Sequence, residues 1–81
     1  MISTFDGVTD EQIWERDGWV CQIPGCGNAI RRDVRHPDPD SASIDHIVPF
    51  SLGGTDIAPN KRAAHLACNV RRGNRMGPED V

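Results

Sequence analysis

The chain has 81 residues, 37% of them hydrophobic, and carries a formal charge of -3. That length admits one domain over residues 1–81, and a chain this short buries only about 60% of its unfolded surface, so a thin core calls for a metal or covalent staple. The charge excludes a histone-like polybasic protein but not a local basic surface, because a field depends on where the charges sit.

The first segment, MISTFDGVTDEQ, is acidic and has no apolar stretch, so no signal peptide is expected. No apolar run approaches the roughly 18–20 residues that cross a bilayer, and no membrane partner is expected. A short helix is predicted over 10–17. Thr9 is a good N-cap, Gln12 completes a capping box, and Asp10 and Glu11 suit the positive end of the helix dipole. Ile13 and Trp14 supply its apolar stripe, and Gly18 ends it. Cys21 and Cys26 then flank a Pro24-Gly25 turn that folds two sulfurs toward one point. Residues 31–42, with Pro37 and Pro39, read as a polar loop. Residues 43–48 read as a strand stopped by Pro49, and residues 60–64 as its weakly β-prone return. A helix is predicted from Leu66 to about Arg75, closed by Gly73 or by Gly77-Pro78. Trp14 and Trp19 are expected in the core rather than on a base-stacking surface.

Charge is segregated along the chain. Residues 1–20 carry Asp6, Asp10, Glu11, Glu15 and Asp17 against Arg16 alone. Residues 61–78 carry Lys61, Arg62, Arg71, Arg72 and Arg75 with no acid. On a helix, Arg71, Arg72 and Arg75 are expected to share one face.

Three cysteines cannot close a disulfide framework, which points to a reducing, intracellular, cytoplasmic setting where clustered cysteines more often bind metal. Cys21 and Cys26 form C-x4-C, and His65 and Cys68 form H-x2-C. Two short-spaced pairs joined by a long connection follow the logic of a structural zinc site. The plain alternative is three free cysteines, one buried as a small hydrophobe, beside a solvated His65. His36 sits in a Pro-rich loop without a near partner and reads as a surface histidine.

Asp45-His46 opens a second constellation. Adjacent strand residues face opposite ways, so the dipeptide alone reads as a buried Asp and an exposed His. The run DHIVPFSLGG, then Asn60, then HLACN with RRGNR behind it, resembles the HNH endonuclease family over about residues 11–75. The resemblance implies a small α+β fold. Its center would be a ββα-metal, or His-Me finger, core with a zinc knuckle and an added N-terminal helix. By position, His46 would be the general base and Asn60 would stiffen the loop that orients it. Asp45 and Asn69 would hold a catalytic Mg2+, Mn2+ or other divalent cation. Asn69 stands where the family often has its last His, and His65 stands in place of a zinc cysteine, which leaves a Cys3His set. The basic residues Lys61, Arg62, Arg71, Arg72 and Arg75 would then track the phosphates of double-stranded DNA with little sequence preference.

The H-L-A-C-N knuckle most resembles phage and actinobacterial members. Phage members can sit beside genome-packaging terminase genes, so terminase or packaging proteins join DNA as expected partners in an infected or host cell. The rival expectation is a non-catalytic, zinc-stapled DNA- or protein-binding accessory module. A redox or metal-sensing role for Cys21 and Cys26 is a third.

Overall fold

In the computed structural model, which describes residues 6–73, local capping sets the first element. Helix α1 spans Asp10–Arg16. Thr9 Oγ1 accepts from the Gln12 backbone N–H at 3.2 Å, and Gln12 Oε1 accepts from the Thr9 N–H at 2.8 Å. Seven residues do not make a stable helix alone. Burial of Ile13 at 1% exposure holds this one against the rest of the fold. Gly18, at φ +68°, turns the chain into the next segment.

Residues 19–30 double back on themselves. Cys21 N–H donates to Asn28 O, Ile30 N–H donates to Trp19 O, and Val20 bridges Ala29. The Pro24-Gly25 turn lies at the tip, with Gly25 at φ +94°. This is the knuckle expected between the two cysteines.

Strand β1, Ala42–His46, and strand β2, Lys61–His65, form a two-stranded antiparallel sheet. Ala42 faces His65 and His46 faces Lys61 at the two ends of the register. Helix α2, Leu66–Arg72, follows β2 directly. Its first turn donates to chain from the polar loop: Leu66 N–H to Ser41 O at 2.9 Å and Ala67 N–H to Pro39 O at 3.0 Å. The protein is a small α+β fold, and β1, β2 and α2 form the expected ββα unit.

Boundaries moved by small amounts. β1 runs 42–46 rather than 43–48, because the chain leaves regular pairing after His46 for the loop that Asn60 holds. β2 runs 61–65, because Asn60 belongs to the 3-10 turn Ala58–Asn60. α2 closes at Gly73; the expected continuation to Arg75 and the alternative stop at Gly77-Pro78 fall outside the described residues.

A bare strand edge invites aggregation, and here the end of α1 and the segment after it cover it. Asp17 Oδ2 accepts from Ala63 N–H at 2.9 Å, Arg16 donates to Lys61 O at 2.7 Å, and Gln22 N–H donates to Ala63 O at 2.9 Å. Ala63 and Ala64 are fully buried beneath this layer. Small side chains let α1 and the knuckle approach the sheet closely, which explains two alanines in a strand. Cys21 and Ile30 complete the buried cluster, and Trp14, Trp19 and Ile23 pack around it. The two tryptophan rings lie 5.3 Å apart, in the core position expected. No helix among the described residues is long and apolar enough to cross a membrane.

The loop from β1 to β2 folds tightly on itself. Gly54 N–H donates to Pro49 O at 2.9 Å, and a Cβ added at Gly54 would lie 1.6 Å from the Val48 carbonyl oxygen. No side chain fits there. Gly54→Ala is therefore expected to cost about 1–3 kcal/mol through forced backbone movement. That lowers the melting temperature by roughly 5–15 °C for a domain of this size. Thermal denaturation of the metal-loaded protein measures it, and an unchanged midpoint contradicts the close approach.

Candidate functional site

The knuckle and the β2–α2 junction bring four metal-ligand atoms together. The donor atoms of Cys21, Cys26, His65 and Cys68 all lie within 4.8 Å of one another. Cys26 Sγ is 3.5 Å and Cys68 Sγ 3.8 Å from His65 Nδ1. A tetrahedral zinc with Zn–S of about 2.3 Å and Zn–N of about 2.0 Å sets edges of roughly 3.5–3.8 Å, so the cluster has the right size. His65 Nε2 lies 2.9 Å from Ala29 O. A carbonyl only accepts, so Nε2 carries the hydrogen and Nδ1 turns its lone pair to the sulfurs, as a metal-binding histidine requires.

The thiols are unequal before metal arrives. The Asn28 backbone N–H chiefly pulls Cys26 down to about 7, while burial chiefly pushes Cys68 up to about 11. A metal that takes both must expel the Cys68 proton, so its grip weakens as pH falls. The donor set, two sulfurs from one turn and His-Cys from one junction, fits a Cys3His site for a metal such as zinc.

A second network surrounds Asp45. Its side chain is 1% exposed, with Oδ2 2.6 Å from Arg62 Nε and Oδ1 2.6 Å from Arg72 Nη1. Arg72 also donates to the carbonyls of His46, at 3.2 Å, and Ile47, at 2.8 Å. Asn69 turns its amide NH2 toward Ser43 Oγ and the Ile44 carbonyl, at 2.8 and 2.9 Å. The expected cation pair, Asp45 and Asn69, is thus not open in this conformation. Both carboxylate oxygens already face guanidiniums, and the amide is used as a donor to β1. These donors do not fit a divalent cation as they stand.

The third network lies in the loop. Asn60 accepts from Val48 N–H at 2.8 Å and donates to the carbonyls of Val48 and Thr55, at 3.0 and 2.7 Å. One side chain so ties both ends of the loop that carries Gly53-Gly54. His46 faces away from Asp45, as strand alternation requires. Its Nε2 lies 3.0 Å from Asp56 Oδ1, and the same oxygen lies 3.0 Å from Lys61 Nζ. The His46 ring packs on Phe50 at 4.6 Å between centroids.

The expected phosphate-tracking face is not a single surface. Lys61 is 2% exposed and Arg62 and Arg72 turn inward to Asp45. Arg71 is exposed, with Nη2 3.8 Å from Cys68 Sγ. Arg71 and Arg72 cannot share a face, because successive helical residues are about 100° apart. Arg75 lies outside the described residues. Asp56 escaped the sequence reading; an acid 10 residues beyond His46 in an irregular loop carries no periodic signal. Arg16 and Asp17, which close the β2 edge, escaped it because they meet β2 across 45 and 46 residues of chain.

A ββα unit stapled to a Cys3His knuckle, with Asp-His on its first strand, defines a class of metal-stapled nuclease-type domain. The HNH endonuclease family model matches residues 21–75, and the chain belongs to that family. Membership implies a nuclease-type function with DNA as the substrate class and divalent metal use. No curated protein and no solved structure matches the chain.

Two outcomes check this arrangement. Purified protein is expected to carry one zinc-class metal per chain, and removing it with a chelator, or Cys68→Ser, is expected to unfold the domain, since such sites contribute on the order of 10 kcal/mol. Metal content by mass spectrometry and circular dichroism read both, and a fully folded metal-free protein contradicts the assignment. Asp45→Ala is expected to lose about 3 kcal/mol, the low end for removing one side of a buried ion network, because both arginines can still reach water. Urea unfolding of the metal-loaded variant measures that loss, and wild-type stability would leave the clamp without structural weight.

Proposed function

We propose that the chain is an endonuclease that hydrolyses DNA phosphodiester bonds, nicking or cutting with low sequence specificity and with a divalent cation, Mg2+ or Mn2+, as cofactor. Membership in the HNH family supports the reaction class. The observation that carries the site is His46, held at the mouth of a locked loop with its ring one-quarter exposed and one nitrogen engaged by Asp56. A neutral imidazole can accept a proton and suits the general base for an attacking water. Asn60 stiffens the loop beside it. A bound cation would supply charge neutralisation at the phosphoryl group and the leaving oxygen; Asp45 and Asn69 would hold it only in a conformation in which Arg62 and Arg72 leave the carboxylate. Arg71, with Arg62, Arg72 and Arg75, supplies the positive charge for backbone contacts. The setting we infer is the cytoplasm of a bacterial or phage-infected cell, with terminase or other packaging proteins as partners.

A second reading has its own support. The two-arginine clamp on Asp45 and the amide at Asn69 favor a zinc-stapled DNA- or protein-binding accessory module whose site does no chemistry.

Supercoiled plasmid separates the two. With Mg2+ or Mn2+, wild-type protein is expected to convert it to nicked or linear DNA. His46→Ala is expected to slow conversion by about 10²- to 10⁴-fold, the worth of a positioned base. Equal nicking by both proteins, or binding with no nicking by either, sinks the endonuclease reading.

A further inference from the structure

The loop between the strands brings one carboxylate oxygen to two side chains. His46 ends β1, Lys61 begins β2, and the register places them opposite each other. Asp56 enters from the loop and sets Oδ1 3.0 Å from His46 Nε2 and 3.0 Å from Lys61 Nζ. Lys61 is 2% exposed, whereas Asp56 keeps a third of its side chain in water. A buried ammonium needs counter-charge, and the Asp56 carboxylate reaches it at 3.0 Å.

We propose that Asp56 is the positioning residue for His46 and that buried Lys61 anchors Asp56 from the strand beneath, an inference that deepens the endonuclease reading and rests on it. The hydrogen bond from His46, with Lys61 beside it, holds the Asp56 carboxyl below its usual range. An ionised carboxylate can only accept. Nε2 of the neutral ring therefore carries the hydrogen, and Nδ1 keeps the free lone pair. Phe50 packs against the ring at 42° to its plane and restricts its rotation. Nδ1 is then the atom that acts. One proton of water passes to Nδ1, and the water oxygen forms the new bond to phosphorus. The P–O bond to the leaving oxygen breaks with its electron pair staying on that oxygen, which takes a proton from solvent. The same geometry moves Lys61 from phosphate contact, the sequence expectation, to support of the base.

Steady-state nicking kinetics and imidazole NMR on the metal-loaded protein test this. The double variant Asp56→Ala/Lys61→Met leaves no orphaned buried charge and is expected to fold. Its kcat is expected to fall at least about tenfold, a part of the worth of a positioned base, with KM unchanged. Lys61→Met alone is expected to lower kcat less, again at constant KM. The Nε2-bound proton of His46 is expected to be protected from solvent exchange in the wild type and unprotected in the double variant. Asp56→Glu, with Lys61 present, is expected to restore part of kcat and of that protection. The proposal is overturned by a double variant with wild-type kcat, by an Nε2 proton equally protected without Asp56, or by Lys61→Met raising KM while kcat stays intact. Should the wild type leave plasmid whole, the endonuclease reading falls, and the His46 proton still decides whether Asp56 positions the ring.

Discussion

Four side chains within 4.8 Å of one another set the geometry on which this small protein depends. Two come from the knuckle, and two straddle the point where β2 becomes α2: His65 closes the strand and Cys68 lies in the first helical turn. One metal held there would fix the angle between sheet and helix and tie both to the N-terminal half. The buried hydrophobic cluster is Cys21, Ile30, Ala63 and Ala64, and one of its members is itself a ligand. Staple and core are thus the same object, which is how a chain below the usual size for a self-sufficient core can hold a fixed shape.

With the sheet held from one end, charged side chains organise the other. Asp45 faces Arg62 and His46 faces Lys61 directly across the strand pair. Cross-strand partners are the natural unit of sheet pairing, and alternation sends the two pairs to opposite sides. One side becomes a buried carboxylate between two guanidiniums, which pins α2 to β1. The other becomes the His46–Asp56–Lys61 group at the loop. Arg72 links the two by donating to the carbonyls of His46 and Ile47, so the base sits on backbone fixed by the clamp. Asn60 and the close approach at Gly54 fix that loop from its far end.

Much of this was readable residue by residue where the chemistry is local. Thr9 and Gln12 announced a capping box, Pro24-Gly25 between cysteines announced a knuckle, and the two ligand spacings announced a tetrahedron. The DHIVP, GG and Asn60 pattern carried the family. What stayed hidden depends on register and on side chains meeting across distance. Lys61 and Arg62 read as phosphate contacts because nothing local says that one faces Asp56 and the other Asp45. Two alanines read as poor strand formers because the layer that requires small residues, α1 with its C-cap Asp17, meets them across 46 residues of chain. Asp56 had no neighbour pattern at all.

The charge of -3 therefore carries less information than its placement, and the placement differs from the linear one. The run from 61 to 72 looks like a positive surface in sequence, but Lys61, Arg62 and Arg72 spend their charge on Asp56 and Asp45. Outside that run, Arg31 pairs with Asp33 and Arg32 lies over the Trp19 ring at 4.6 Å. Arg71 is the exposed base on α2, beside the sulfur cluster. Arg62 and Arg72 each set one guanidinium nitrogen on Asp45, and guanidiniums suit a phosphate as well as a carboxylate. Among the described residues, the cations on the strands and helix around His46, Lys61, Arg62 and Arg72, are groups that the folded chain also uses to hold itself together.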